Sequence, residues 1–299
     1  MFSEEGRGTV EIAQGIAPPI SWPVGATLAE CPIWIPEARL LAWVDILGPT
    51  YNLLDPTTGI NRAIPVHAKI GSAAPLDAGE AILALEDGLW LFQQGHPLAP
   101  LPSPDMTGVH FNDGKCDPTG RFWVGTRATD GSQGGGALYR VDQERCVTQM
   151  DTGFDVPNGL GWSPDTRSFY LIDTVPRLLY RYDFDLASGA ISNRTILNRF
   201  EDIAGKPDGM AVDRDGHIWC AMWDGGGIAR LEPDGTQVAW LPTPCQRPTS
   251  CAFGGDDLGT LFVTTAAHGL DPADQLFDQA GSILAFRLDL TDPTVAGFA

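Results

Sequence analysis

The sequence predicts an all-β fold: a six-bladed β-propeller of four-stranded blades around a central channel. Three observations lead there. One motif recurs along the chain: an Asn/Asp-Gly, a short apolar strand, an Asp/Pro/Gly turn and an aromatic strand. Its copies lie about 41 to 50 residues apart, the length of a four-stranded blade. The 299 residues include 35 Gly, 24 Pro and 9 Trp, without a helical periodicity of useful length. That composition suits tight turns between short aromatic strands. A pair of β-sandwiches would not repeat one motif around six times.

Residues 1–20 read as an N-terminal arm and residues 21–299 as a single propeller domain. The first repeat opens at Ala29-Glu30-Cys31-Pro32-Ile33-Trp34 and leads to the apolar stretch 40–44. A weaker second copy, Gly71-Ser72-Ala73, leads to 81–85. The third is Asn112-Asp113-Gly114-Lys115-Cys116-Asp117, followed by a Pro118-Thr119-Gly120 turn and Phe122-Trp123-Val124-Gly125-Thr126. The fourth is Pro157-Asn158-Gly159-Leu160-Gly161-Trp162. The fifth, Pro207-Asp208-Gly209-Met210, runs on to Ile218-Trp219-Cys220, and the sixth, Pro248-Thr249-Ser250-Cys251, leads to 261–263. A second hairpin follows the clearest copies, at 137–142, 178–183 and 227–232. Each alternates apolar and polar residues and ends in an acid, as in Glu232-Pro233-Asp234-Gly235. Two hairpins per repeat make four strands. The last strand is expected to close the ring.

Asp and Glu number 38 against 19 Lys and Arg, a formal net charge of −19. A surface that acidic repels phosphate backbones, which excludes nucleic acid as a partner. The opening MFSEEGRGTV has neither a basic nor an apolar signal region, and no stretch approaches roughly 18 consecutive apolar residues. A cytoplasmic protein with no membrane partner is expected. None of the six cysteines forms a CxxC pair or stands near a His at zinc-finger spacing, so they read as reduced thiols.

In a propeller the inner strands line the channel, so equivalent positions of different blades converge at one mouth. The converging set is Glu30, Asp113, Asn158 and Asp208, with Ser72 and Thr249 completing the ring. Three carboxylates and a carboxamide around a narrow channel repel unless something positive sits between them. The donors are all oxygens. They suit Ca²⁺, Mg²⁺ or Mn²⁺, with Zn²⁺ or Fe²⁺ admissible. The competing reading is a set of Asx-Gly turns. Glu30 weighs against it, since a poor turn former occupies the same phase of the repeat. The five histidines include no HExxH and no pair at ligand spacing, and no Gly-x-Ser-x-Gly elbow occurs. Trp34, Trp43, Trp123, Trp162 and Trp219 read as packing between blades.

With these motifs, over about residues 22–290, the sequence resembles the regucalcin (senescence marker protein)–gluconolactonase family of sugar lactonases. The resemblance rests on Leu28 to Trp34, Phe111 to Asp117 with Phe122 to Thr126, Pro157 to Leu160, and Pro207 to Met210 with Ile218-Trp219. It implies a six-bladed propeller with one divalent metal ion, ligated by Glu30, Asn158 and Asp208. It also implies that Asn112 contacts the substrate. Some members have an Arg where this chain has His110, and an acidic substrate contact falls on Asp130. The family pattern Gly-Glu-Gly-Pro stands here as Ala29-Glu30-Cys31-Pro32. A cysteine there is either inert packing or an oxidation-sensitive neighbour of the metal.

The expected activity is hydrolysis of an aldonolactone to the aldonic acid, with a gluconolactone or a pentonolactone as substrate. The metal polarises the carbonyl and a carboxylate takes the proton of the attacking water. Asp208 is the first choice for that base and Asp113 the second, while His110 and Arg127 are candidates for binding hydroxyls or the nascent carboxylate. Two alternatives stay open: an ester or organophosphate hydrolase on the same fold, and a non-catalytic propeller that binds a divalent metal.

Overall fold

The computed structural model describes residues 11–12, 16–273 and 279–288. Among them there is no helix, and so none long and apolar enough to cross a membrane. The strands form six antiparallel blades, each ordered from an inner strand at the channel to an outer strand at the rim. The inner strands are Ala29–Ile35, Ile70–Pro75, Val109–Cys116, Pro157–Trp162, Lys206–Val212 and Pro248–Gly254, which head blades 1 to 6 in that order. The six-bladed propeller expected from the repeat is the observed fold.

The ring is joined in blade 6. There Pro248–Gly254, Thr260–Thr265 and Ile283–Arg287 are completed on the outside by Ile20–Trp22, paired antiparallel with Ser21 opposite Leu284. Closure therefore uses an N-terminal strand that covers the edge of the last strand, so the last strand does not close the ring alone. That edge would otherwise offer unpaired backbone groups. Glu11–Ile12 adds a short parallel strand outside Gln237–Pro242 of blade 5. The rest of the arm, residues 1–10 and 13–15, lies outside the described residues.

Apolar residues from neighbouring blades meet in six buried clusters, one for each interface of the ring. Val44 and Tyr51 of blade 1 pack with Leu83 and Phe92 of blade 2. Trp123 and Leu138 of blade 3 pack with Phe169 and Tyr182 of blade 4. Blades 6 and 1 meet through Phe262, Ile283, Leu41 and Trp43, with Trp34 stacked on Phe262 at 5.6 Å. The five tryptophans named above thus serve packing between blades.

Two repeats share a device that fastens the turn to the next strand. Asp117, buried, accepts hydrogen bonds from Thr119 N (2.9 Å), Arg121 Nε (2.6 Å) and Trp123 Nε1 (3.0 Å). Asp213 does the same for His217 N (2.9 Å) and Trp219 Nε1 (3.0 Å). Burial pushes the Asp117 carboxyl up, but the bonds from Trp123, Thr119 and Arg121 outweigh it and hold the group below the usual range. Asp117→Ala should cost about 3 kcal/mol, because it strands a buried guanidinium and an indole N–H. Denaturant midpoints with Trp fluorescence would show it. A loss under about 1 kcal/mol would contradict this role.

Candidate functional site

Each inner strand carries a bulge at the motif. In blade 4 Pro157 pairs with Asp173 and Leu160 with Leu171, so Asn158 and Gly159 together oppose one partner residue. Blade 5 repeats this between Pro207 and Met210, and blade 3 between Phe111 and Gly114. The Asx-Gly pairs therefore lie inside strands, and the turn reading fails. The glycines are needed for close approach between blades. A methyl on Gly159 would sit 2.7 Å from the Asp208 carbonyl oxygen, and one on Gly71 2.5 Å from that of Phe111. Gly71→Ala should destabilise the protein by about 1–3 kcal/mol, since only backbone could yield. A urea midpoint equal to wild type would refute that tight approach.

The register corrects the phase of two repeats. The first residues of the bulges align Gly71, Asn112, Asn158, Asp208 and Thr249; in blade 1 the bulge opens one residue later, and Glu30 follows Ala29 opposite Asp45 as Asn158 follows Pro157 opposite Asp173. Asn112 and Gly71 thus take the places expected for Asp113 and Ser72. A shift of one residue turns a strand side chain to the other face, and the bulge hides the shift from any simple count.

The result is visible at one mouth of the channel, in a cavity of about 580 Å³. Glu30, Asn112, Asn158 and Asp208 line it, with His110 and Arg127. Asp113, Ser72 and Thr249 are buried and do not line it. Asp130 does not line it either: it lies in an exposed turn, where its carboxylate accepts the Ser132 N–H at 2.9 Å. Asp113 is therefore poorly placed as a base, and Asp130 as a substrate contact.

Glu30, Asn158 and Asp208 are 8%, 7% and 5% exposed. Asn158 Nδ2 donates to Asp208 Oδ1 at 2.5 Å and to Thr174 Oγ1 at 3.1 Å. Glu30 Oε2 is buried with no hydrogen-bond partner. Burial, then the charges of Asp208 and Asp113, push the Glu30 carboxyl well above the usual range. Burial and the Asp113 charge do the same to Asp208, against the Asn158 hydrogen bond. Lys115 partly offsets Asp113 from below and donates from Nζ to the Met210 carbonyl at 2.6 Å. Among the described residues no three His, Cys, Asp or Glu side chains form a group that could hold a metal ion. The third member of the candidate set is an amide. An orphaned carboxylate oxygen, a second buried carboxylate and an amide oxygen nonetheless fit a hard divalent cation, which would relieve their repulsion.

Asn112 Nδ2 donates to the Pro157 carbonyl at 2.9 Å, which ties its amide to blade 4. Arg127 Nε donates to His110 Nε2 at 2.8 Å, so the neutral His110 ring carries its proton on Nδ1. Burial and the Arg127 charge hold the His110 pKa below the usual value. Cys31 has φ 51°, a left-handed conformation that favours glycine. Its buried thiol donates to the Gly114 carbonyl at 3.1 Å, and burial pushes its pKa far up. Such a thiol stays protonated and inert, which decides for packing. The six cysteines are free thiols.

Sequence reasoning missed Lys69, Glu86, Lys206 and Trp223, which also line the cavity. Their signal is positional. Lys69 and Lys206 stand two residues before the aligned inner position of their blades, as His110 does. Trp223 pairs with Lys206 from the second strand of blade 5, as Arg127 pairs with His110, and Glu86, just past the second strand of blade 2, donates its N–H to the Lys69 carbonyl at 2.8 Å.

A ring of repeats with an acid-floored cavity at one mouth, walled by apolar and polar side chains alike, defines a propeller with a pocket of small-molecule size. Residues 28–267 match the SMP-30/Gluconolactonase/LRE-like region, and the chain belongs to that family. A pentonolactonase from Haloferax volcanii is 36% identical over 88% of this chain and 91% of its own. A 6-deoxy-6-sulfogluconolactonase from Pseudomonas putida is 36% identical over 91% of this chain and 96% of its own. The crystal structure of regucalcin from Agrobacterium tumefaciens, a calcium-binding protein, superposes with a TM-score of 0.82 at 28% identity. It covers 87% of this chain and 90% of that one.

Proposed function

We propose that the protein hydrolyses a sugar lactone to the aldonic acid, with one divalent cation held by Glu30, Asn158 and Asp208. The observation that carries this reading is the buried, unpartnered Glu30 Oε2 beside Asp208 and Asn158, on the floor of a cavity sized for a small molecule. The lactonases among its relatives support the reaction class. The oxygen donors suit Ca²⁺, Mg²⁺ or Mn²⁺, and admit Zn²⁺ or Fe²⁺.

Held by Glu30, Asn158 and Asp208, a cation would supply Lewis-acid polarisation of the lactone carbonyl and would offset the charge that develops on its oxygen. Asp208, buried but open to the cavity, takes the proton as water adds to the carbonyl carbon. The ring C–O bond then breaks, and the same proton is available to the leaving ring oxygen. Asn112 sits in the wall with its amide anchored, where it can bind a sugar hydroxyl without a large entropic cost. Arg127 lies beside it, steadied by His110, and can bind a hydroxyl or the carboxylate formed.

The test is acid release from a panel of γ- and δ-aldonolactones by protein stripped with chelator, with each of the five cations restored in turn. Spontaneous hydrolysis is subtracted. Turnover that returns with metal supports the reading. Turnover of aryl esters or phosphotriesters alone would move the activity to an ester hydrolase. Metal binding without any turnover would leave a binding propeller.

A further inference from the structure

The charges of the cavity are arranged against those of the molecule as a whole. The chain has a net charge of −19, and the cavity floor holds Glu30 and Asp208. The rim reverses the sign. Lys69 of blade 2, Arg127 of blade 3 and Lys206 of blade 5 stand around it, against the single carboxylate of Glu86. Blades 2 and 5 face each other across the ring, so cations approach the mouth from opposite sides.

Both lysines are exposed. Neither side chain makes an ion pair or a hydrogen bond among the described residues. The ammonium groups are thus free to meet a ligand. Lys69 of blade 2 and Arg127 of blade 3 stand on neighbouring blades, and both, together with the opposing charge of Glu86, bear on His110 electrostatically. Arg127 feels the Asp208 charge as well, so the cationic rim and the anionic floor share one space.

A neutral sugar lactone would offer such a rim only hydroxyl oxygens, whereas an anionic one would also engage its charge. An acidic protein would also repel an anionic ligand everywhere else on its surface. Resting on the lactonase reading, we infer that the substrate is an anionic sugar lactone. Its lactone lies at the floor, and a phosphate, sulfonate or carboxylate at the other end of the sugar lies among Lys69, Arg127 and Lys206. One rim of this kind serves all three anions, because ammonium groups read charge and guanidinium reads paired oxygens.

The test compares kcat/KM for gluconolactone with that for its 6-phospho, 6-deoxy-6-sulfo and 6-carboxy counterparts, using metal-loaded protein at low and high salt. The ratio of anionic to neutral kcat/KM should exceed about tenfold at low salt and shrink as salt screens the rim. Lys69→Gln and Lys206→Gln should each lower that ratio about threefold to tenfold, and the double variant should bring it near one. The anion with the largest ratio identifies the terminal group. Turnover of the neutral lactone with a wild-type ratio of one or below overturns this inference and leaves the lactonase reading standing. A ratio that survives the double variant also overturns it. Failure on neutral and anionic lactones alike overturns the lactonase reading, and this inference with it.

Discussion

Asp208→Asn protein should fold at least as stably as wild type and hydrolyse lactones about a thousandfold more slowly. The two halves of this result share one cause. Asp208 is buried beside Glu30 and close to Asp113, and burial with like charge raises its pKa well above the usual range. Removing its charge relieves repulsion in the cation-free protein. The amide oxygen of the variant can still accept the Asn158 Nδ2 hydrogen bond, now 2.5 Å long. The fold therefore loses no partner. On the proposed mechanism the reaction would lose its base and one of two charged donors to the cation. General-base catalysis alone contributes about 10²–10⁴-fold. Steady-state kinetics and thermal melts on one preparation would separate the effects. Gain or parity in Tm with a collapse in kcat/KM marks a site whose strain serves function. Normal turnover would remove Asp208 from the mechanism, and a large fall in Tm would show that it holds the fold together.

Divalent cation should stabilise the protein at pH 8 and hardly at all at pH 5. Glu30, Asp113 and Asp208 all have folded pKa values above their unfolded ones, chiefly through burial. The sign follows from proton binding. As pH rises past the ordinary carboxylate range, the unfolded chain releases these protons first while the folded chain keeps them. The stability they contribute is complete below the unfolded pKa and is lost as pH rises through the folded values. Chelated protein should accordingly melt at a lower temperature at pH 8 than at pH 5. A cation at a hundredfold excess over its Kd adds about 2.7 kcal/mol, or roughly 4 °C for a chain of this length. That gain should be present at pH 8, where the carboxylates are ionised and repel. It should vanish at pH 5, where protons compete with the ion. Asp208→Asn should abolish it at both. A shift of equal size at pH 5 and pH 8, or none at all, would count against a cation at these residues.

The charge of Glu30 and the amides of Asn112 and Asn158 were legible because each belongs to a strong local motif. The cationic rim was not, because Lys69 and Lys206 look like any solvated lysine until the repeat is set in its true phase. Asp113 illustrates the same limit. It is adjacent to Asn112 in the chain, and either residue could have faced the cavity. The bulge between Phe111 and Gly114 settles the choice, and bulges are formed by pairing with a neighbouring strand. Asp130 came from the family resemblance, and it lies in a loop, where length varies among relatives and position along the chain is a poor guide to position in space.

Sequence alone was enough for the architecture and for bringing Glu30, Asn158 and Asp208 together at one mouth of the channel. A repeat that cannot bury its apolar face by itself must stack, and the six-cluster core follows from that need. The folded chain added which member of each motif faces the channel, where a carboxylate oxygen is left without a partner, and how an N-terminal strand seals the ring. These depend on strand register and on residues far apart in the chain. A one-residue slip costs nothing in local propensity but turns every side chain to the opposite face, so only the packing of neighbouring blades decides it.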